Sequence, residues 1–380
     1  MSELKIALIR SRYTPFGGAE RFIESALGAL AEKGVTLTLM TREWKGPAER
    51  SVILCNPFHI GRLWRDWGFA RSVQATLARS HFALVQSHER IAGCDVFRVG
   101  DGVHAAWLEA RNRTKGSLAQ FATKLSPWHR YTLHAEAKMF ADPRLRAVIC
   151  ISRMVASDVR RFFHVPEEKL HVIYNGIDSE YFSPKLRELH RISVRENLAI
   201  SATSAVYLFV GSGFDRKGVR QLLMAFAKLP DKQAHLIIVG KDHRQSAYEA
   251  QADALRISNR VRFCGPQQDV RPFYGAADVF VLPTLYEPLS NAVLEALASG
   301  LPVITSTHCG AAELITHGVS GFVCDALDAD TLALHMMALN NREFRESASR
   351  AARASVQRFT LSDMSNRYVR LYEDLLSERK

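Results

Sequence analysis

The stretch Val279-Phe280-Val281-Leu282-Pro283-Thr284-Leu285-Tyr286-Glu287-Pro288-Leu289-Ser290-Asn291-Ala292-Val293-Leu294-Glu295-Ala296-Leu297-Ala298 decides the fold. Four strand formers run into a loop, and apolar residues then recur at helical spacing. Strand, loop and helix start in that order make an anion site, because the first helical amides have no carbonyl partners. Pro288 disfavours helical backbone at Glu287, so Glu287 lies in the loop and a helix is predicted over 289–299. The amides of Leu289, Ser290 and Asn291 then open its amino end. Glu295 sits six residues further on, about 9 Å along the axis. Carboxylates would repel a bare phosphate. They fit a ligand with phosphates and also hydroxyls, since a carboxylate accepts well from a vicinal diol. A nucleotide-sugar has both. Taken alone, glutamates near a helix start are explained as well by the helix dipole.

Outward from this unit, strands are predicted at 205–210, 234–239, 260–263, 302–305 and 321–324. Helices alternate with them at 219–229, 246–256, 269–276, 310–317 and 328–340. That alternation predicts a doubly wound α/β domain. The amino-terminal half opens the same way: a strand from Leu4 to Ile9, a loop with Gly17-Gly18, a helix from Ala19 to Lys33 and a strand from Val35 to Met40. A chain of 380 residues exceeds one ordinary core, so two domains are expected. The polar, turn-rich residues 165–204 read as the linker, and helices at 343–358 and 361–378 close the chain.

The net charge of +11 is uneven. Residues 1–170 hold 26 Lys+Arg and 16 Asp+Glu, an excess of +10; the remaining 24 and 23 nearly cancel. The first half therefore expects an anionic partner. Residues 104–140 concentrate it: Arg111, Arg113, Lys115, Lys124, Arg130 and Lys138 interleave with Trp107, Phe121, Trp128, Tyr131 and Phe140. The cations suit an anionic membrane surface. The aromatics suit either a lipid headgroup layer or inward packing. No apolar run reaches the ~20 residues of a spanning helix. No signal-peptide pattern is present, and none of the six cysteines lies in a metal-binding spacing. The expectation is a cytoplasmic protein without a metal or cofactor. No nucleic-acid recognition motif is present.

Three further loops carry candidate chemistry. Gly211 to Gly218 follows a strand, and Arg216 with Lys217 would neutralise charge growing on a departing phosphate. It lacks the Walker spacing. Gly17-Gly18 is either a ligand loop or a tight turn. Asp101 and His104 follow a probable strand at 95–99, where either could orient or deprotonate an acceptor hydroxyl; a turn aspartate flanked by glycines reads nearly as well.

Together these residues resemble the retaining glycosyltransferases of family 4. Glu287 and Glu295 match its paired glutamates, Arg216-Lys217 its basic pair, and Gly310-Ala311-Ala312-Glu313 its downstream pattern. Within the family the likeness is strongest to the lipopolysaccharide-core glucosyltransferases that act on inner-core heptose, through Tyr13 to Gly18, Gly211 to Gly218, and Gly93 to Phe97 with Asp101. The resemblance implies a GT-B fold, two Rossmann-like domains facing across a cleft: residues 1–170 with 361–380 on the acceptor and membrane side, and 171–360 binding the donor. It implies a metal-independent, retaining transfer of a hexose from a UDP-sugar to a lipid-linked saccharide. Glu287 would hold donor-sugar hydroxyls, Glu295 the ribose, and Phe263 and Cys264 the base through their backbone. The amides of Leu289, Ser290 and Asn291 would hold the distal phosphate with Arg216 and Lys217, and Gly17, Gly18 and Gly211 would line the donor site. Asp101 would act near the acceptor. A nucleotide-sugar epimerase and a non-catalytic nucleotide-sugar-binding protein are the competing readings. A nicotinamide oxidoreductase lacks its glycine spacing here.

Overall fold

The computed structural model describes residues 4–12, 35–44 and 51–378. Gly17, Gly18 and the helix expected over 19–33 lie outside them. The chain divides into two compact units, one reaching to Gly176 and resuming at Leu361, the other Ile177–Thr360.

Unit 1 runs β1 (Leu4–Ile9), β2 (Val35–Thr41), β3 (Val52–Leu54), α1 (Gly61–Leu77), β4 (Leu84–Ser87), β5 (Val96–Val99), α2 (His104–Asn112), α3 (Ser117–Leu125), α4 (Pro127–Phe140), β6 (Ala147–Cys150), α5 (Arg153–Phe163) and β7 (Leu170–Val172). Its described strands lie in the order β3-β2-β1-β4-β5-β6-β7, all parallel. The winding direction reverses between β1 and β4. Strands β4, β5 and β6 are buried along their whole length, as a parallel sheet covered on both faces requires.

Unit 2 runs α6 (Lys185–Asn197), β8 (Val206–Val210), α7 (Val219–Ala227), β9 (His235–Val239), α8 (Gln245–Ala254), β10 (Val261–Gly265), α9 (Arg271–Ala276), β11 (Val279–Leu282), α10 (Asn291–Ala298), β12 (Val303–Ser306), β13 (Gly321–Cys324), α11 (Ala329–Ala338) and α12 (Arg342–Val356). The order β10-β9-β8-β11-β12-β13 is again parallel and reverses between β8 and β11. Ligands of such sheets bind beyond the strand carboxyl ends where the order reverses. In unit 2 that point lies between the loops after Val210 and Leu282.

The last helix, α13 (Leu361–Ser377), returns to unit 1. Met364, Tyr368, Leu371, Tyr372 and Leu375 recur on one face and join the core formed by Ile6, Leu8, Val96 and Ile149. Two buried polar contacts fix the register: Arg98 Nε donates to the Tyr368 hydroxyl at 3.0 Å, and the Tyr372 hydroxyl donates to Gln86 Oε1 at 2.6 Å.

The reading of 165–204 as a linker is corrected. Leu170–Val172 pairs with β6, and Lys185–Asn197 is helical. What reads as polar linker is a helix whose charges face a buried partner. Arg195, 2% exposed, donates to Asp278 Oδ2 at 2.7 Å and to the carbonyls of Ala276, Ser201, Ala202 and Ser204. The helix expected over 310–317 is shorter, a 3₁₀ segment from Gly310 to Leu314.

Burial pushes the Asp278 carboxyl up, but Arg191, Arg195 and Arg187 outweigh it and hold the group below the usual carboxylate range. Its stabilising contribution is therefore full at neutral pH and is lost as pH falls through that depressed value. Asp278→Ala is expected to cost about 3–5 kcal/mol at pH 7, because Arg195 stays buried without its counter-charge. Urea unfolding midpoints check this, and the gap to the wild type narrows in acid.

Candidate active site

The two loops at the switch point of unit 2 are sewn together. The Arg216 carbonyl accepts from Leu285 N at 2.8 Å and from Thr284 Oγ1 at 3.1 Å. Glycines permit the approach. A Cβ on Gly218, which has φ +77°, would lie 1.9 Å from the Pro283 oxygen. A Cβ on Gly211 would lie 2.6 Å from Lys217 Cδ, so the bare backbone makes room for that side chain.

On this base the charges converge. Glu287 Oε2 accepts from Arg216 Nη1 at 2.7 Å and from Lys217 Nζ at 2.9 Å. Arg216 also donates to the Tyr286 carbonyl at 3.0 Å. Among the described residues no donor reaches Glu287 Oε1. The Glu287 side chain is 14% exposed, Lys217 12% and Arg216 37%, so the cluster is sheltered but reachable. Burial pushes the Glu287 carboxyl up, yet Lys217 and Arg216 outweigh it and hold it below its ordinary value. Two cations share one carboxylate, which leaves a positive excess for a phosphate.

The Glu287 backbone is clamped as well. Its N–H donates to the His308 carbonyl at 3.0 Å, and its own carbonyl accepts from Gly310 N at 2.8 Å. This gives the Gly310–Glu313 motif a mechanical role beside the site.

Helix α10 starts later than expected. Ser290 is its N-cap and accepts from Val293 N at 3.3 Å. Serine caps far better than leucine, and that preference sets the boundary. Leu289 and Ser290 therefore precede the helix, and of the three expected amides only that of Asn291 belongs to its first turn. Leu289 packs as a buried apolar residue. Glu295 lies further along α10, where Oε2 accepts from the buried Tyr274 hydroxyl at 2.9 Å. Phe263 and Cys264 end β10 at a register shift between Phe263 and Gly265. The Cys264 carbonyl accepts from Gln267 Nε2 at 2.7 Å, so this backbone is partly engaged within the protein.

The acceptor-side candidates separate. Asp101 is exposed in its turn. His104 is 6% exposed and packs among Trp107, Trp128 and His129, with its Nε2 3.1 Å from His129 Nδ1. Burial, with Arg90, His129 and Arg111, pushes its imidazole down to about 3, so it stays neutral. Its backbone is held by Glu136, a fully buried carboxylate that also takes Arg90 Nε at 2.8 Å. His104 is thus part of a packed aromatic cluster rather than an open base. Sequence reasoning missed Glu89, which follows β4 at the switch point of unit 1. It accepts from Ser11 N at 2.9 Å, and burial raises its carboxyl pKa against the pull of Arg10. Only the strand order marks that position.

Residues 104–140 sort by helix. Phe140 packs inward against Phe97 and Phe163, and Trp128 donates its indole N–H to Asp66 at 2.9 Å. The interleaved aromatics, Phe121 apart, are half-buried. Helix α3 instead exposes Leu118 (87%), Phe121 (61%) and Leu125 (57%), at i, i+3 and i+7 on one face. Arg113, Lys124 and Arg130 are exposed around it. A second apolar group, unread in the sequence, stands at Phe58, Ile60, Trp64 and Trp67, also exposed. The Trp128–Asp66 bond and Arg62, 5.0 Å over the Trp128 ring, tie it to α4.

With that geometry established, known proteins place the chain. Residues 191–355 match Glycosyl transferases group 1, and residues 16–181 match Glycosyltransferase Family 4. The lipopolysaccharide core biosynthesis glycosyltransferase LpsE of Rhizobium meliloti is 32% identical, over 93% of this chain and 95% of that protein. This chain belongs to the group 1, family 4 glycosyltransferases. The lipopolysaccharide glucosyltransferase WaaG of Escherichia coli K12 is 27% identical over 84% of each chain. The crystal structure of WaaG superposes with TM-score 0.82 at 24% identity, covering 97% of this chain and 99% of that one. HepE of Anabaena in complex with UDP-glucose follows with TM-score 0.71 at 20% identity, over 99% and 100%. The family 4 glycosyltransferase has the GT-B pair of Rossmann-like domains.

Replacing Lys217 by Met removes one of the two cations that hold Glu287 ionised. The carboxyl is then expected to titrate at higher pH, its burial being less opposed. The variant should be less stable than the wild type at neutral pH. The difference should narrow as pH falls through the ordinary carboxyl range, where protonation relieves the buried charge. Thermal unfolding across pH reads this, and a constant offset would contradict it.

Proposed function

We propose that this glycosyltransferase moves a hexose, glucose as the leading candidate, from a UDP-sugar to a membrane-linked saccharide of the lipopolysaccharide core. The transfer retains anomeric configuration and needs no metal. The observation that carries the reading is the Arg216–Lys217–Glu287 cluster at the switch point of unit 2. The likeness to WaaG and LpsE supports the acceptor class, and the UDP-glucose bound to HepE supports the donor.

The donor diphosphate lies against Arg216 and Lys217, with the first-turn amides of α10 at its side. Glu287 Oε1 accepts a hydroxyl of the sugar. As the bond from the anomeric carbon to the phosphate oxygen breaks, negative charge grows on the diphosphate and the two cations stabilise it. The acceptor oxygen bonds the anomeric carbon on the same face, and its proton passes to the departing phosphate oxygen. Asp101 and Glu89 are the unit 1 carboxylates proposed to hold the acceptor.

Among the described residues no helix is long and apolar enough to cross a membrane. The lipid acceptor is met from the cytoplasmic side by peripheral binding. The α3 face inserts Leu118, Phe121 and Leu125, the exposed group at 58–67 adds further apolar contact, and exposed arginines and lysines meet anionic headgroups.

Lys217→Ala is expected to lower glucosyl transfer from UDP-glucose by roughly 10²–10³-fold, as removal of a charge-stabilising donor does elsewhere. EDTA should leave wild-type turnover unchanged. Wild-type rates in the variant would remove Lys217 from the mechanism, and release of an epimerised nucleotide-sugar in place of a glycosylated product would sink the transferase assignment.

Membrane docking has its own test. Leu118→Ser/Phe121→Ser should reduce co-sedimentation with anionic vesicles while leaving transfer to a soluble acceptor fragment intact. Raised salt should weaken wild-type binding. Unchanged sedimentation of the variant would move the contact elsewhere.

A further inference from the structure

Unit 2 carries a second concentration of positive charge far from its donor loops in the fold. A cavity of about 580 Å³ opens between α6 and α12. Thr203 precedes β8, Asp278 precedes β11, and Gly300 precedes β12, so the cavity lies at the amino ends of the strands. Arg216, Lys217 and Glu287 follow the carboxyl ends of the same strands. The two sites occupy opposite ends of one sheet.

The lining is basic beyond what the fold consumes. Arg187 and Arg191 from α6 meet Arg342, Arg345 and Arg350 from α12, against Asp278 and Glu346. Five guanidinium groups face two carboxylates, an excess of three positive charges. Asp278 cannot absorb it. Its Oδ2 is taken by Arg195 at 2.7 Å and Val206 N at 2.9 Å, while its Oδ1 already receives Arg191 at 3.0 Å and Arg187 at 3.2 Å. Glu346 is engaged by Arg342 at 2.8 Å. Arg345 spends one nitrogen on the carbonyls of Leu339 and Asn340, which carry no net charge.

A structural role accounts for part of this set only. Arg195 alone joins α6 to the sheet through Asp278 and four carbonyls. The exposed Arg342 and Arg350 add nothing to that joint. Crowding of the others is costly: burial, with Arg195 and Arg187 nearby, pushes the Arg191 guanidinium down to about 10 despite Asp278. An anion seated among these groups relieves the crowding. Guanidinium forks match phosphate oxygens in pairs, which lysines do not.

We propose that this cavity is a second anion site and that it takes a compact molecule bearing two linked phosphates. A phosphate group carries about −1.5 to −2 at neutral pH. Two of them match the excess of three charges, and one does not. The cavity is within the size range of small-molecule sites. The same chemistry occurs in a free diphosphate and in a diphosphate attached to a larger group, such as the nucleoside diphosphate that a transfer reaction releases.

The test uses the full chain carrying Lys217→Ala, which weakens the donor loops as a competing phosphate site. Inorganic pyrophosphate is titrated calorimetrically at fixed ionic strength, with inorganic phosphate and UDP as parallel arms. The expected result is saturable pyrophosphate binding at least ten-fold tighter than that of phosphate. Adding Arg342→Ala and Arg350→Ala should weaken it at least ten-fold with the thermal midpoint unchanged, since both side chains are exposed. UDP binding lost with the same arginines identifies the attached form as a ligand, and UDP binding that survives their removal restricts the site to the free diphosphate. If the triple variant unfolds, Arg350→Ala alone should still weaken pyrophosphate binding. Absence of saturable binding, or binding indifferent to both α12 arginines, overturns the proposal.

Discussion

One carboxylate oxygen organises the switch point of unit 2. Glu287 Oε2 receives both Arg216 and Lys217, and these come from a loop some seventy residues away in sequence. Without the carboxylate, two cations would stand close together at the mouth of a parallel sheet. Without the cations, a sheltered carboxylate would take up a proton. The arrangement makes each group hold the charge state that the other needs. The remaining geometry serves this contact: glycines at 211 and 218 for close approach, the Arg216 carbonyl tied to the 284–285 backbone, and the 308–310 backbone clamping Glu287.

The parallel sheet explains why the cluster stands where it does. In the order β10-β9-β8-β11-β12-β13, the winding reverses between β8 and β11, and a crevice of such a sheet opens beyond the carboxyl ends of those two strands. Unit 1 has the same reversal between β1 and β4. There the crevice carries Glu89, held by Ser11 N, rather than a basic pair. Two similar sheets thus present different chemistry at equivalent points, which suits a reaction with a phosphorylated donor and a hydroxylic acceptor.

Two buried acids in this chain each gather several donors. Glu136 binds Arg90 and the amide of His104, and Asp278 gathers three arginines. Each fixes an element whose surface residues then become available: the 102–104 turn ahead of α2 in one case, α6 in the other. The arginine-lined cavity of unit 2 follows from the second. Once Asp278 has anchored α6, the arginines left along that helix and on α12 face open space.

Local periodicity and turn chemistry determined much of this protein before any contact was known. The alternation of strand and helix in unit 2 was legible from residue 205 onward, because parallel strands buried on both faces leave uninterrupted apolar runs. The glycine loop at 211–218 and the acids at 287 and 295 stood out because their types are unusual beside a helix start. What the amino-acid order left open depends on partners distant in the chain. Lys185–Asn197 reads as linker because its polar residues answer to Asp278 eighty residues later. His104 reads as an accessible base because the rings of Trp128 and His129, which close over it together with Trp107 of its own helix, come from α4. The interleaved aromatics of 104–140 read as one surface, yet Trp107, Trp128, Tyr131 and Phe140 are half-buried against neighbours, and Leu118, Phe121 and Leu125 stand outside. Local rules act over a few residues, whereas burial and charge pairing are decided only when the sheets bring remote segments together.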